Sequence, residues 1–102
     1  VLSISVVVFI MASGATMKNQ DSVIEGTYEV TCGICNFDMT GDDCELAIRI
    51  DGKEYYVEGS AIDEHGDAHA HDGLCSVVRK AQVKGVIKKG VFVAESVVLI
   101  EE

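Results

Sequence analysis

The sequence predicts a mainly β domain, a small five-stranded barrel with one short helix, preceded by a signal peptide. Three observations carry the barrel: five short runs that alternate or are rich in β-branched residues, turn dipeptides between successive runs, and a chain of 102 residues, enough for one domain and too few for two.

Residues 26–32 (GTYEVTC) form the first run, with Tyr28, Val30 and Cys32 alternating against Thr27, Glu29 and Thr31 in the period of a half-buried strand. Residues 33–43 (GICNFDMTGDD) lose the alternation and carry turn formers, so they read as a loop. Residues 44–50 (CELAIRI) put Cys44, Leu46, Ile48 and Ile50 on one face, the clearest strand in the chain. Asp51-Gly52 suits the two positive φ angles of a type I′ turn and joins that strand antiparallel to residues 53–57 (KEYYV).

Residues 59–73 are polar, rich in Asp and His and without a sustained period, which is the character of a long functional loop. Asp72 can cap a short helix over 73–80, with Leu74, Val77 and Val78 on its apolar side. Residues 81–87 and 91–100 are β-branched segments joined by the short turn Lys88-Lys89-Gly90, and Gly85 allows a bulge where a small barrel must bend. The order β-β-β-α-β-β is that of an OB-like barrel; an open antiparallel sheet with one helix across it is the alternative.

At the N-terminus, residues 2–11 (LSISVVVFIM) are an apolar run of ten, followed by Ala12-Ser13-Gly14-Ala15 with small residues suited to signal-peptidase cleavage. A spanning helix needs about 20 apolar residues, so no permanent membrane anchor is expected. With Val1 first and no basic segment before the run, the N-terminus reads as clipped from a longer precursor. No cysteine follows the run closely enough for a lipoprotein anchor, and a buried strand over 5–10 is the competing reading. The expected organisation is a signal peptide over 1–15, a linker over 16–24 and the barrel domain over 25–102, with a periplasmic or secreted location.

All 17 acidic residues lie at or beyond Asp21, and the net charge is −9. Such a chain repels phosphate backbones, and its only basic cluster (Arg79, Lys80, Lys84, Lys88 and Lys89) reads as a solvated edge, so nucleic acid is not an expected partner. The outward face of the second and third strands, with Glu45, Ala47, Arg49, Glu54, Tyr56 and Glu58, offers one aromatic and no basic groove. Neither Ser60 nor Ser76 stands in a nucleophile-elbow sequence, and there is no phosphate loop or dinucleotide fingerprint. A non-enzymatic role is expected.

The strongest functional signal follows from the meander. If the first strand runs upward, the loops after the first and third strands lie at the same pole, which gathers Cys32, Cys35 and Cys44 with His65, His69, His71 and Cys75. Cys32-Gly33-Ile34-Cys35 is a knuckle whose two thiolates can reach one ion, and thiolate with imidazole suits Zn²⁺ or copper. The expected metal ligands are Cys32, Cys35, Cys44, His65, His69 and Cys75, with Asp63, Asp67 and Asp72 as hydrogen-bond acceptors for the imidazoles. On that reading His69→Ala weakens metal binding clearly and His71→Ala less. Two readings stay open beside it. Four cysteines in an exported chain can form two disulfides in an interaction module that binds an unknown extracytoplasmic partner without metal. Thiol–disulfide exchange rests on the Cys-x-x-Cys spacing alone, since the motif ends a strand rather than opening a helix.

The strings CGIC, GDDCELAIRIDGKEYYVEG, IDEHGDAHAHDGLC and RKAQVKG resemble a family of small exported bacterial proteins that carries a domain-of-unknown-function label. The resemblance covers about residues 28–95 and marks Cys32, Cys35, Cys44, His65, Asp67, His69 and Cys75 as motif positions, without His71. It implies export and a grouped set of ligands, and it implies no activity.

Overall fold

A computed structural model describes residues 22–101. The expected signal peptide over 1–15 and all but the end of the expected linker lie outside the described residues. Five strands close into a barrel: β1 (Ile24–Cys32), β2 (Leu46–Ile50), β3 (Lys53–Glu58), β4 (Arg79–Lys88) and β5 (Val91–Leu99). Their order around the barrel is β1-β2-β3-β5-β4. All neighbours are antiparallel except β3 and β5, which run parallel over Tyr56↔Val91, Val57↔Phe92 and Glu58↔Val93. β1 closes the barrel by pairing with both β2 and β4. The OB-like barrel expected from the sequence is therefore the fold, and the open sheet is not.

The turn chemistry explains the two tight hairpins. Asp51 and Gly52 have φ of 52° and 85°, and Lys89 and Gly90 have 54° and 80°, so both connections take the primed geometry that matches strand twist. In β4 the register slips between Lys84 and Gly85. A Cβ at Gly85 would meet the Val93 carbonyl oxygen and come within 2.8 Å of the Phe92 ring, so this strand bends where only glycine fits.

Val30, Leu46, Ile48, Ala81, Val83 and Phe92 fill the barrel, each at most 2 % exposed. One end is plugged by the segment between β3 and β4, which sends in Ile62 from a 3₁₀ turn (Ile62–His65) and Leu74 from the turns that follow. The helix expected over 73–80 is absent, and β4 begins at Arg79 inside that range. The reason is competition for carbonyls. The Leu74 carbonyl, which a helix would assign to the N–H of Val78, accepts instead from the Cys32 N–H at 2.8 Å. The short helix of this fold is elsewhere: α1 (Gly33–Asn36), a single turn directly after β1.

Candidate metal centre

The strand order brings three separate stretches to one pole. Cys32 ends β1 and caps α1, Cys35 lies in α1, Cys44 stands just ahead of β2, and Cys75 sits in the turns before β4. Backbone bonds hold these stretches together: the Gly33 N–H donates to the Glu45 carbonyl at 3.0 Å, the Cys32 N–H to Leu74, and the Cys75 N–H to Ala68 at 2.8 Å. The four Sγ atoms all lie within 4.8 Å of one another.

Their exposure is graded. Cys32 is fully buried, Cys75 is half-buried, and Cys35 and Cys44 face solvent. Cys32 and Cys35 are joined as a disulfide with Cα atoms 5.2 Å apart, while Cys44 and Cys75 are free thiols. The Cys44 Sγ lies 3.7 Å from that of Cys35. Burial, and after it the hydrogen bond and charge of Cys44 and the carboxylates of Asp63 and Asp67, push the Cys75 thiol above its ordinary value. A cation among the sulfurs would reverse that balance, because it favours the thiolate that burial disfavours.

Two polar side chains pin the Cys75 turn onto β1. Thr31 Oγ1 lies 2.8 Å from the carbonyl oxygens of both Leu74 and Val77 and donates its one hydrogen to either, while it accepts from Asn36 Nδ2 at 2.9 Å. Asn36 Nδ2 also faces the Cys75 carbonyl at 3.3 Å. Thr31 was expected on the outward side of β1, and it is outward, but the turns cover it completely. Thr31→Val keeps the shape and removes the hydroxyl, so it is expected to cost about 1–3 kcal/mol by stranding buried polar groups. Urea denaturation of the two proteins measures this, and equal midpoints would contradict the role.

Of the six expected ligands, the structure brings together Cys32, Cys35, Cys44 and Cys75. His65 and His69 lie outside that group, as does His71. His65 closes the 3₁₀ turn, and its Nε2 is 2.8 Å from Ser60 Oγ. His69 is exposed on a turn whose geometry is set by its own backbone N–H donating to Asp67 Oδ1 at 2.9 Å. The sequence pattern placed both imidazoles on the right loop; the loop's turns decide where they point.

Gly33 in the knuckle is needed for close packing, since a Cβ there would come within 2.7 Å of the Tyr56 ring and 2.9 Å of Met39 Sδ. Residues after α1 fold back over the outward face of β2 and β3, burying Phe37 and Ala47, and Tyr56 donates to the Thr40 carbonyl at 2.9 Å. Arg49 stacks on Phe37 at 4.3 Å and pairs with Glu54 at 2.8 Å and Glu29 at 3.2 Å. The face on which OB-folds take ligands is thus partly occupied by the chain itself.

Burial and then the charge of Glu45 raise the Tyr56 phenol above its usual value. The folded state favours the neutral phenol, so this contribution to stability is complete below the unfolded value of about 10 and is lost as pH rises through the higher folded value. The difference in tyrosinate absorbance between the protein and its Tyr56→Phe variant is expected to show that late titration. A midpoint at or below the free-tyrosine value would refute it.

Beside Cys44 runs an open groove of about 660 Å³ between β2, β3 and the 3₁₀ turn, lined by Glu45, Glu58, Asp63 and Glu64 among others. Its carboxylates make the approach to the exposed thiol attractive to cations.

The molecule is defined by these features as a small closed β-barrel with a cysteine cluster at one pole. Residues 26–100 match the model of a family of unknown function, DUF6370, and the protein belongs to that family. No curated protein and no solved structure matches the chain.

Proposed function

We propose that this is an exported, non-enzymatic domain that binds a transition metal through the four thiolates of Cys32, Cys35, Cys44 and Cys75 in its reduced state. The observation that carries the reading is the gathering of four sulfurs within 4.8 Å of one another from three separate stretches of chain. A tetrahedral ion with Zn–S bonds of about 2.3 Å needs sulfurs roughly 3.8 Å apart. Cys35 and Cys44, at 3.7 Å, already have that spacing. An all-sulfur tetrahedron suits Zn²⁺, with Cu⁺ the next soft ion in line.

Four sulfurs complete the coordination of such an ion, so His65 and His69 act around the site rather than in it. His69→Ala is then expected to leave affinity unchanged, and a clear loss would make the imidazole a ligand. The disulfide between Cys32 and Cys35 favours a second reading, an interaction module held by disulfides with no metal.

Titration of the fully reduced protein with Co²⁺ separates the two. Metal binding by four thiolates gives the intense visible bands of tetrahedral cobalt thiolate, which Zn²⁺ then displaces. A reduced protein that gains no such bands and retains no zinc after desalting would overturn the metal reading.

A further inference from the structure

The same four sulfurs admit two arrangements that cannot coexist. A tetrathiolate needs Cys32 and Cys35 as separate ligands, whereas the structure joins them and leaves Cys44 and Cys75 as free thiols beside them. We infer that the cluster is a redox-gated metal site: a two-electron oxidation that joins Cys32 to Cys35 withdraws two of the four ligands and discharges the ion. This inference rests on the reading of the cluster as a metal site.

Exposure decides which sulfur of this pair an oxidant meets: Cys32 is fully buried, whereas Cys35, like Cys44, faces solvent. With hydrogen peroxide, the Cys35 thiolate attacks one oxygen, the O–O bond breaks, and a sulfenic acid forms with hydroxide leaving. The Cys32 thiolate then displaces the second hydroxide from that sulfur and the S–S bond forms. Two thiolates have lost two electrons, and the peroxide has taken them up to give, with two protons, two molecules of water.

Two features favour this pair over the others. Cys32 and Cys35 are three residues apart, with Cα atoms at 5.2 Å, inside the range that a disulfide spans without backbone movement. Cys44 adjoins Glu45, whose carbonyl accepts from Gly33, whereas Cys75 donates to the Ala68 carbonyl, and both stay as thiols in the joined state. Two thiolates hold the ion far more weakly than four. Disturbing a single hydrogen-bond partner of a ligand already costs about 10–100-fold in affinity, so losing two ligands exceeds about a hundredfold.

The test uses the unaltered protein, reduced and loaded with zinc, and titrates it with hydrogen peroxide in the presence of a chromogenic zinc chelator. About one equivalent of peroxide is expected to release about one equivalent of zinc, with the protein mass falling by two hydrogens. Peptide mapping then finds Cys32 joined to Cys35, and a phosphine reductant restores zinc binding. Zinc retained after the disulfide has formed, or a first disulfide that includes Cys44 or Cys75, would overturn the gate while leaving the metal reading intact. A reduced protein that takes up no zinc fails before any peroxide is added, and both readings then fall.

Discussion

Replacing Cys44 with Ser is expected to raise the zinc dissociation constant by more than about a hundredfold and to erase the stabilisation that zinc gives the reduced protein. Cys44 is the informative choice because it is exposed and precedes β2, so its substitution leaves the barrel intact. Cys32 is fully buried, and a change there would mix packing with ligation. For the unaltered protein, zinc at a hundred times its dissociation constant adds about 2.7 kcal/mol. In a domain of 60–100 residues each kcal/mol moves Tm by about 4–8 °C, so the midpoint should rise by roughly 10–20 °C with zinc and return with a chelator. The Cys44→Ser variant should melt at one temperature with or without the ion. A variant that kept the zinc-dependent rise would remove Cys44 from the ligand set.

The strands were legible in the sequence because their cause is local. Alternation in 26–32 and 44–50, and the dipeptides Asp51-Gly52 and Lys89-Gly90, act over a few residues, and the structure follows them to within one or two positions. The gathering of the cysteines was legible for a topological reason, since a meander must return its third strand to the pole where its first one ended. What stayed hidden depends on contacts between distant segments. Nothing near Leu74 indicates that the Cys32 N–H will take its carbonyl, so the pattern over 73–80 still reads as helical. Thr31 follows the outward phase of its strand, and only the arrival of residues 74–77 buries it. Burial of Phe37 and Ala47 on the outward side of β2 is of the same kind. The histidines share the right loop with Cys75, but a period of two or four residues does not aim side chains when the backbone runs through successive turns.

Phe92→Ala is expected to cost about 3–5 kcal/mol, the second large effect. Phe92 is fully buried in β5 and is paired in register with both Ile87 of β4 and Val57 of β3, so it stands at the parallel junction of β3 and β5. Glycine at position 85 leaves room for that ring, since a Cβ there would come within 2.8 Å of it. Domains have about 5–15 kcal/mol of stability in total, and one this small sits toward the lower end, so the variant should be partly unfolded at room temperature. Zinc acts at the opposite kind of site, by binding the folded chain, and its about 2.7 kcal/mol at a hundredfold excess is smaller than the loss. The reduced variant should therefore regain structure with zinc but stay below the unaltered protein, as urea denaturation with and without the ion would show. A loss under about 1 kcal/mol would mean that the parallel junction does not depend on this ring.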